Sequence, residues 1–171
     1  MNINWTEIPH RLKKYPSKTT LLVAGKTANY FYVVQSGAVR MWFNKEGKDI
    51  TLQFFFEGSP VCSFESFMRN SPSLFFIESI EPIEVIEIHK KDLLVYVNSN
   101  PSAKDIIMKY LFDRMIDYTH QLLFMQIYSP KERYAEILTN RPEILLRVQQ
   151  QYIASYLGIT PVSLSRIRSR K

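Results

Sequence analysis

The chain has 171 residues, 46% of them hydrophobic and 22% charged, with one cysteine and a formal net charge of +6. That balance excludes a disordered chain and a disulfide-stapled scaffold, and it fits one large domain or a medium domain followed by a small one. No run approaches the roughly 18 consecutive apolar residues of a membrane span, and residues 1–18 lack the apolar core of a secretory signal, so a cytoplasmic protein with no membrane partner is expected.

The charge is unevenly placed. From Ser129 onward eight lysines and arginines face three glutamates, which leaves +5 in the last quarter of the chain. A concentrated basic excess points to an anionic partner, with nucleic acid first among them; the competing reading is a solvated basic face.

Taken in chain order, residues 4–14 predict a short helix with Trp5, Ile8 and Leu12 on one face, closed by Pro16. Strands are predicted at residues 19–24, 30–35, 38–43, 49–56, 74–80 and 83–88. Turn signals part them: Gly25-Lys26, Ser36-Gly37, a four-residue turn over 44–47, Glu57-Gly58-Ser59-Pro60 and Glu81-Pro82. Short strands at such regular spacing predict an antiparallel sandwich or barrel. After residue 89 the period changes. No Gly or Pro interrupts residues 102–128, and Met108, Leu111, Met115, Tyr118, Leu122 and Met125 recur at alternating steps of three and four. This is an a/d seam on a long helix, and it favours self-association as a parallel homodimer over packing within one subunit. Ser129-Pro130 with Glu132 then starts a new helix bearing Tyr134, Ile137 and Leu138, and Arg141-Pro142 ends it.

The most specific pattern is Gln150 to Ile167, QQYIASYLGITPVSLSRI. Ala154 is the small residue that two steeply crossing helices need at their contact. Gly158 permits a left-handed helix ending, and Thr160-Pro161 supply an N-cap and a first helical residue. Ile153, Leu157, Ile159, Leu164 and Ile167 are expected to face inward, leaving Val162, Ser163, Arg166, Ser169 and Arg170 outward. Such a helix-turn-helix lays its second helix in the DNA major groove. Arg166 could then read a guanine edge, with Ser163, Ser165 and Ser169 allowing close approach. Thr160, Ser163 and the free N–H groups at the helix start, with Gln151 and Tyr152 on the preceding helix, would meet phosphates, and Pro161 completes the contact surface. The competing reading is a structural helical hairpin.

With these residues the chain resembles the Crp–Fnr family of bacterial regulators along nearly its whole length. The resemblance is carried by Tyr32-Val33-Val34-Gln35-Ser36-Gly37-Ala38-Val39-Arg40, by Gly47-Lys48-Asp49-Ile50-Thr51, and by Ile153-Ala154-Ser155-Tyr156-Leu157-Gly158-Ile159-Thr160-Pro161. It implies an α+β chain. Residues 1–100 would form an antiparallel β-roll (double-stranded β-helix) of the cyclic-nucleotide-binding type, 101–128 a dimerisation helix and 129–171 an all-α helix-turn-helix domain. It further implies a homodimer on pseudo-palindromic double-stranded DNA, a small-molecule effector pocket, and RNA polymerase as a further partner.

Two departures stand out. Family members that bind cyclic nucleotide carry Gly-Glu-x-x-Leu/Ala and then Arg-Ser/Thr-Ala, whose Arg pairs with the phosphate. Here the matching stretch offers Glu65 as the carboxylate, beside Ser66, and Ser73 or Phe75 where the arginine belongs, so cyclic AMP is not the expected effector. In typical members a β-hairpin wing follows the recognition helix, whereas this sequence stops at Lys171, which reads as a short variant.

Single Cys62 cannot hold an iron–sulfur cluster, and His10, His89 and His120 form no ligand set, so no metal and no cofactor are expected. No nucleophile–base pair or phosphate loop is visible, so an enzyme is not expected. The alternative to a DNA-binding regulator is a small-molecule-sensing module that signals to a protein partner without specific DNA binding.

Overall fold

The computed structural model describes residues 4–169. A 3-10 turn at Trp5–Glu7 leads into eight strands: β1 (Arg11–Tyr15), β2 (Thr20–Leu22), β3 (Tyr30–Ser36), β4 (Val39–Lys45), β5 (Lys48–Phe55), β6 (Pro60–Val61), β7 (Phe76–Ser79) and β8 (Ile83–His89). They form two four-stranded sheets, ordered β1-β8-β3-β6 and β2-β7-β4-β5. The pairings β1–β8, β3–β8, β3–β6, β2–β7 and β4–β7 are all antiparallel.

Burial runs through consecutive residues of the central strands, Phe31–Val34 in β3 and Ile86–Ile88 with Val85 in β8, so both faces of these strands are covered. In β4, Val39 and Met41 turn inward beside Ile77 of β7, while Val33, Val85 and Ile88 fill the centre of the other sheet. Gly37 makes the β3–β4 corner possible. Its φ is +87°, and an added Cβ would stand 2.3 Å from the Pro82 carbonyl oxygen, so a side chain there meets both strain and backbone.

The expected helix over 4–14 is a correction. Only Trp5–Glu7 is helical, and β1 occupies the rest. Pro9 disrupts helical hydrogen bonding there, and Arg11–Tyr15 instead finds partners along β8 from Glu87 to Ile83. The spacing of Trp5, Ile8 and Leu12 imitated a helical stripe, yet Ile8 is buried in the roll and Leu12 is exposed. The expected four-residue turn is tighter as well. Strand pairing runs to Lys45 and resumes at Lys48, with Glu46 and Gly47 both left-handed, which is the geometry of a two-residue hairpin turn. Two helices were not foreseen, α1 (Phe64–Arg69) between β6 and β7, and α2 (Lys90–Ser99) after β8.

The rest of the chain is helical: α3 (Pro101–Ile127), α4 (Pro130–Asn140), α5 (Pro142–Arg147), α6 (Gln150–Tyr156) and α7 (Pro161–Ser169). A capping box opens α4. Ser129 Oγ accepts from the Glu132 N–H at 3.4 Å, and the Glu132 carboxylate accepts from the Ser129 N–H at 2.8 Å. Those bonds hold the Glu132 carboxyl below the usual carboxylate range.

Two compact units result. The first gathers the chain up to Phe43 with Gln53–Leu111; the second gathers Asn44–Leu52 with the chain from Phe112 onward. Their boundaries differ from the sequence-based division at 100 and 128. The long helix α3 belongs half to each, and the tip of the β4–β5 hairpin belongs to the helical unit.

Candidate functional site

Helix α6 ends in a six-residue hydrogen-bonded loop. The Ile159 N–H donates to the Ala154 carbonyl at 2.9 Å and the Gly158 N–H to the Ser155 carbonyl at 3.0 Å. With Gly158 at φ +68° this is a Schellman ending, which satisfies carbonyls that the helix would otherwise orphan. A further orphan, the Leu157 carbonyl, accepts from Arg133 Nη1 of α4 at 2.7 Å. Thr160 then opens α7: its Oγ1 accepts from the Ser163 N–H at 3.2 Å, and Pro161 occupies the first helical position. Ile153, Leu157 and Leu164 are buried and Ala154 is fully covered, so the two helices are fixed against each other by a dry contact. Ile159 and Ile167 are half-buried.

That scaffold leaves one face of α7 open. Pro161, Val162, Ser165, Arg166 and Ser169 are exposed, as are Thr160 and Gln151, and Ser163 is half-buried. Arg170 lies outside the described residues. Tyr152 departs from the expected surface. It is 9% exposed and packs into the helical unit beside Ile153, so it is not displayed with the others. The reason is helical phase: Gln151 and Tyr152 are one residue and about 100° apart, and only one of them can face outward.

Two partners of this motif carried no obvious signal. Ser155 on α6 accepts from the Thr51 N–H at 2.9 Å and donates to the Asp49 carbonyl at 2.8 Å, which ties the hairpin tip to α6. Gln121 of α3 adds a 2.6 Å bond from Nε2 to the Leu52 carbonyl. The sequence hints only at Ser155, a small polar residue between Ala154 and Tyr156; Gln121, next to Thr119 and His120, gives no such hint. Arg133, the cap on α6, had no signal at all.

The six seam residues of α3, Met108, Leu111, Met115, Tyr118, Leu122 and Met125, are all exposed in the single chain, and Phe112, Ile116 and Leu123 beside them are exposed too. So long an apolar ridge is costly in water unless covered.

In the sheet unit, the residues suggested for an effector are differently disposed. Ser66 is buried; its Oγ accepts from the Ala28 N–H at 2.9 Å and donates to the Ser71 carbonyl. Ser73 is also buried, with Oγ 2.9 Å from both Ser63 Oγ and the Phe75 carbonyl, and it accepts from the Phe75 N–H at 3.0 Å. Glu65 stands on the exposed side of α1 and pairs with Arg69 at 3.3 Å. The structure therefore does not bring Glu65 together with Ser66 and Ser73. A buried cation does exist in this unit: Arg40 on β4 pairs with Glu78 on β7 at 3.3 Å, and its guanidinium lies 4.7 Å from the Trp42 ring centroid. Trp42 in turn stacks on Phe76 at 4.2 Å. Burial pushes the Cys62 thiol up to about 12, which keeps it protonated and unreactive.

Among the described residues, no helix is long and apolar enough to cross a membrane, and no group of three His, Cys, Asp or Glu side chains is placed to hold a metal ion.

Comparison with known proteins agrees with this architecture. The model of the cyclic nucleotide-binding domain family matches residues 12–100. The cAMP-activated global transcriptional regulator CRP of Haemophilus influenzae is 24% identical over 176 residues, covering 96% of this chain and 79% of that protein. FixK2 from Bradyrhizobium japonicum superposes with a TM-score of 0.84 at 18% identity, over 95% of this chain and 84% of that one. The c-di-GMP responsive global regulator CLP of Xanthomonas campestris gives 0.75 at 21% identity, over 94% and 86%. The chain belongs to the cyclic nucleotide-binding domain family and, with that domain placed ahead of a long helix and a helix-turn-helix, to the Crp–Fnr family of bacterial transcription regulators.

Proposed function

We propose that the protein regulates transcription in the cytoplasm by binding a pseudo-palindromic site on double-stranded DNA as a homodimer. The observation that carries this reading is the open face of α7. Val162, Ser165, Arg166 and Ser169 project from a helix whose other side is locked by Leu164 and by the capped turn to α6. Among the described residues nothing in the helical unit covers them, and their mix of one arginine, small hydroxyls and one apolar group matches the chemistry of base edges. The exposed ridge of α3 supports the homodimer, since two copies would cover each other's seam.

The sheet unit senses an effector other than cyclic AMP. Ser73, one of the two candidates for the phosphate-binding position, spends its hydroxyl on Ser63 and on the Phe75 backbone. The buried Arg40 is committed to Glu78, and Arg69 to Glu65 on the exposed side of α1. Relatives named for cAMP and for c-di-GMP response support a roll whose ligand changes within the family.

Selection of the full-length protein against random duplex DNA at low and moderate salt tests the reading. The expected result is an enriched pseudo-palindrome whose half-site spacing reports the separation of two α7 helices. Binding that enriches no sequence and vanishes with salt would be a phosphate-only contact and would overturn it, favouring the module that signals to a protein partner.

A further inference from the structure

We infer that Val162 reads the 5-methyl group of a thymine, within about two base pairs of the guanine read by Arg166. This deepens the DNA-binding reading and rests on it.

Val162 is 61% exposed, although it is apolar and β-branched and stands in the first turn of a helix. Valine there does nothing for the fold: the residue that anchors α7 is Leu164, fully buried. At about 100° per residue, Val162 lies about 160° from Leu164 around the helix, and so does Arg166 on the other side. The two therefore stand about 40° apart on the face opposite the core, separated by about 6 Å along the axis. Base pairs rise about 3.4 Å each, so groups with that separation address base pairs one to two steps apart. The neighbours of Val162 leave it free for contact. Pro161 has no N–H to offer, and the Ser163 N–H and hydroxyl are turned back to Thr160 Oγ1 at 3.2 and 3.0 Å. The first turn of α7 thus presents an apolar surface flanked by groups already engaged. In the major groove the thymine methyl is the one apolar group that projects from a base edge; beside the small C–H edges of the bases, the other contact points are donors or acceptors that a valine would leave unpaired. The side chain thus selects by attraction to the methyl and by penalty against the polar edges.

The experiment starts from the site enriched by the full-length protein. Thymines in the half-site are replaced one at a time by deoxyuridine, which removes only the methyl. The expected result is one position per half-site where the replacement weakens wild-type binding about fourfold, the effect of one buried methyl-sized group at ~0.8 kcal/mol. In Val162→Ala that difference should fall below twofold, while Arg166→Ala should keep it and lose the guanine preference nearby. Equal binding of thymine and uracil sites by the wild type overturns the inference. So does full discrimination persisting in Val162→Ala, or an enriched half-site with no thymine within two base pairs of the guanine. If no site is enriched at all, the DNA-binding reading itself fails, and the two failures are thereby distinguished. Val162 stands outside the buried core, and circular dichroism of Val162→Ala should match the wild type.

Discussion

Serine has opposite roles in the sheet unit and on the open face of α7. In the sheet unit Ser63, Ser66, Ser73 and Ser79 are buried, and their hydroxyls stitch loops together; Ser79 Oγ accepts from the Thr19 N–H at 2.8 Å and donates to the Pro16 carbonyl at 2.8 Å. In α7, Ser165 and Ser169 stand in solvent. The same small polar side chain is a structural clasp in one place and part of a contact surface in the other. What decides is whether a backbone group nearby lacks a partner. Loops that turn inside a sandwich leave such groups, and the interior of a helix does not.

Substitutions can break this contrast or sharpen it. The largest effect should come from the sheet unit's least forgiving corner. Gly37→Ala sets a Cβ against the Pro82 carbonyl in a left-handed conformation and should cost at least about 3 kcal/mol, read by urea denaturation. Ser79→Ala orphans the Thr19 N–H and should cost about 1–3 kcal/mol in the same assay. Arg166→Ala should leave stability within about 0.5 kcal/mol and instead remove about 1–3 kcal/mol of base discrimination, read by competition between matched and guanine-substituted sites.

Ser129→Ala removes half of the α4 capping box and should cost about 1 kcal/mol near neutral pH. Because the folded Glu132 carboxyl is held below its ordinary range, its stabilisation is present above that range and is lost as pH falls through the lowered value. The gap between Ser129→Ala and wild type should therefore narrow in acid. Ser165→Ala should be smallest, within about 0.5 kcal/mol in stability, in contrast to Ser79→Ala. If Ser165→Ala proved as damaging as Ser79→Ala, the division between clasp and surface would be wrong.

The roll's central strands and the helix-turn-helix were legible in the sequence because their signals are local. Strands β3, β4, β7 and β8 announce themselves by short β-branched, aromatic and apolar runs between turn residues, and the Ala154, Gly158 and Thr160-Pro161 spacing describes a turn and a cap within a dozen residues. What escaped notice depends on distant partners. The segment Arg11–Tyr15 is a strand because β8 is there to pair with it, 68 to 76 positions later. Tyr152 is buried rather than displayed because its neighbour Gln151 takes the outward phase. The bonds of Ser155 to Asp49 and Thr51 span more than 100 residues, and no pattern within α6 foretells them. Ser66 and Ser73 could be named but not assigned, since a loop clasp and a ligand contact have the same composition.

The hairpin tip bears on how such a protein could be recombined. Asn44–Leu52 is encoded inside the stretch that forms the roll, yet three of its backbone groups are bonded by Ser155 and Gln121 of the helical segment. A chimera that joined residues 112–171 to another roll at a single crossover would leave both side chains facing a foreign loop. A helical unit of this kind must carry its hairpin with it, so a successful graft needs two exchanges, one of them nine residues long and far upstream of the helices it serves.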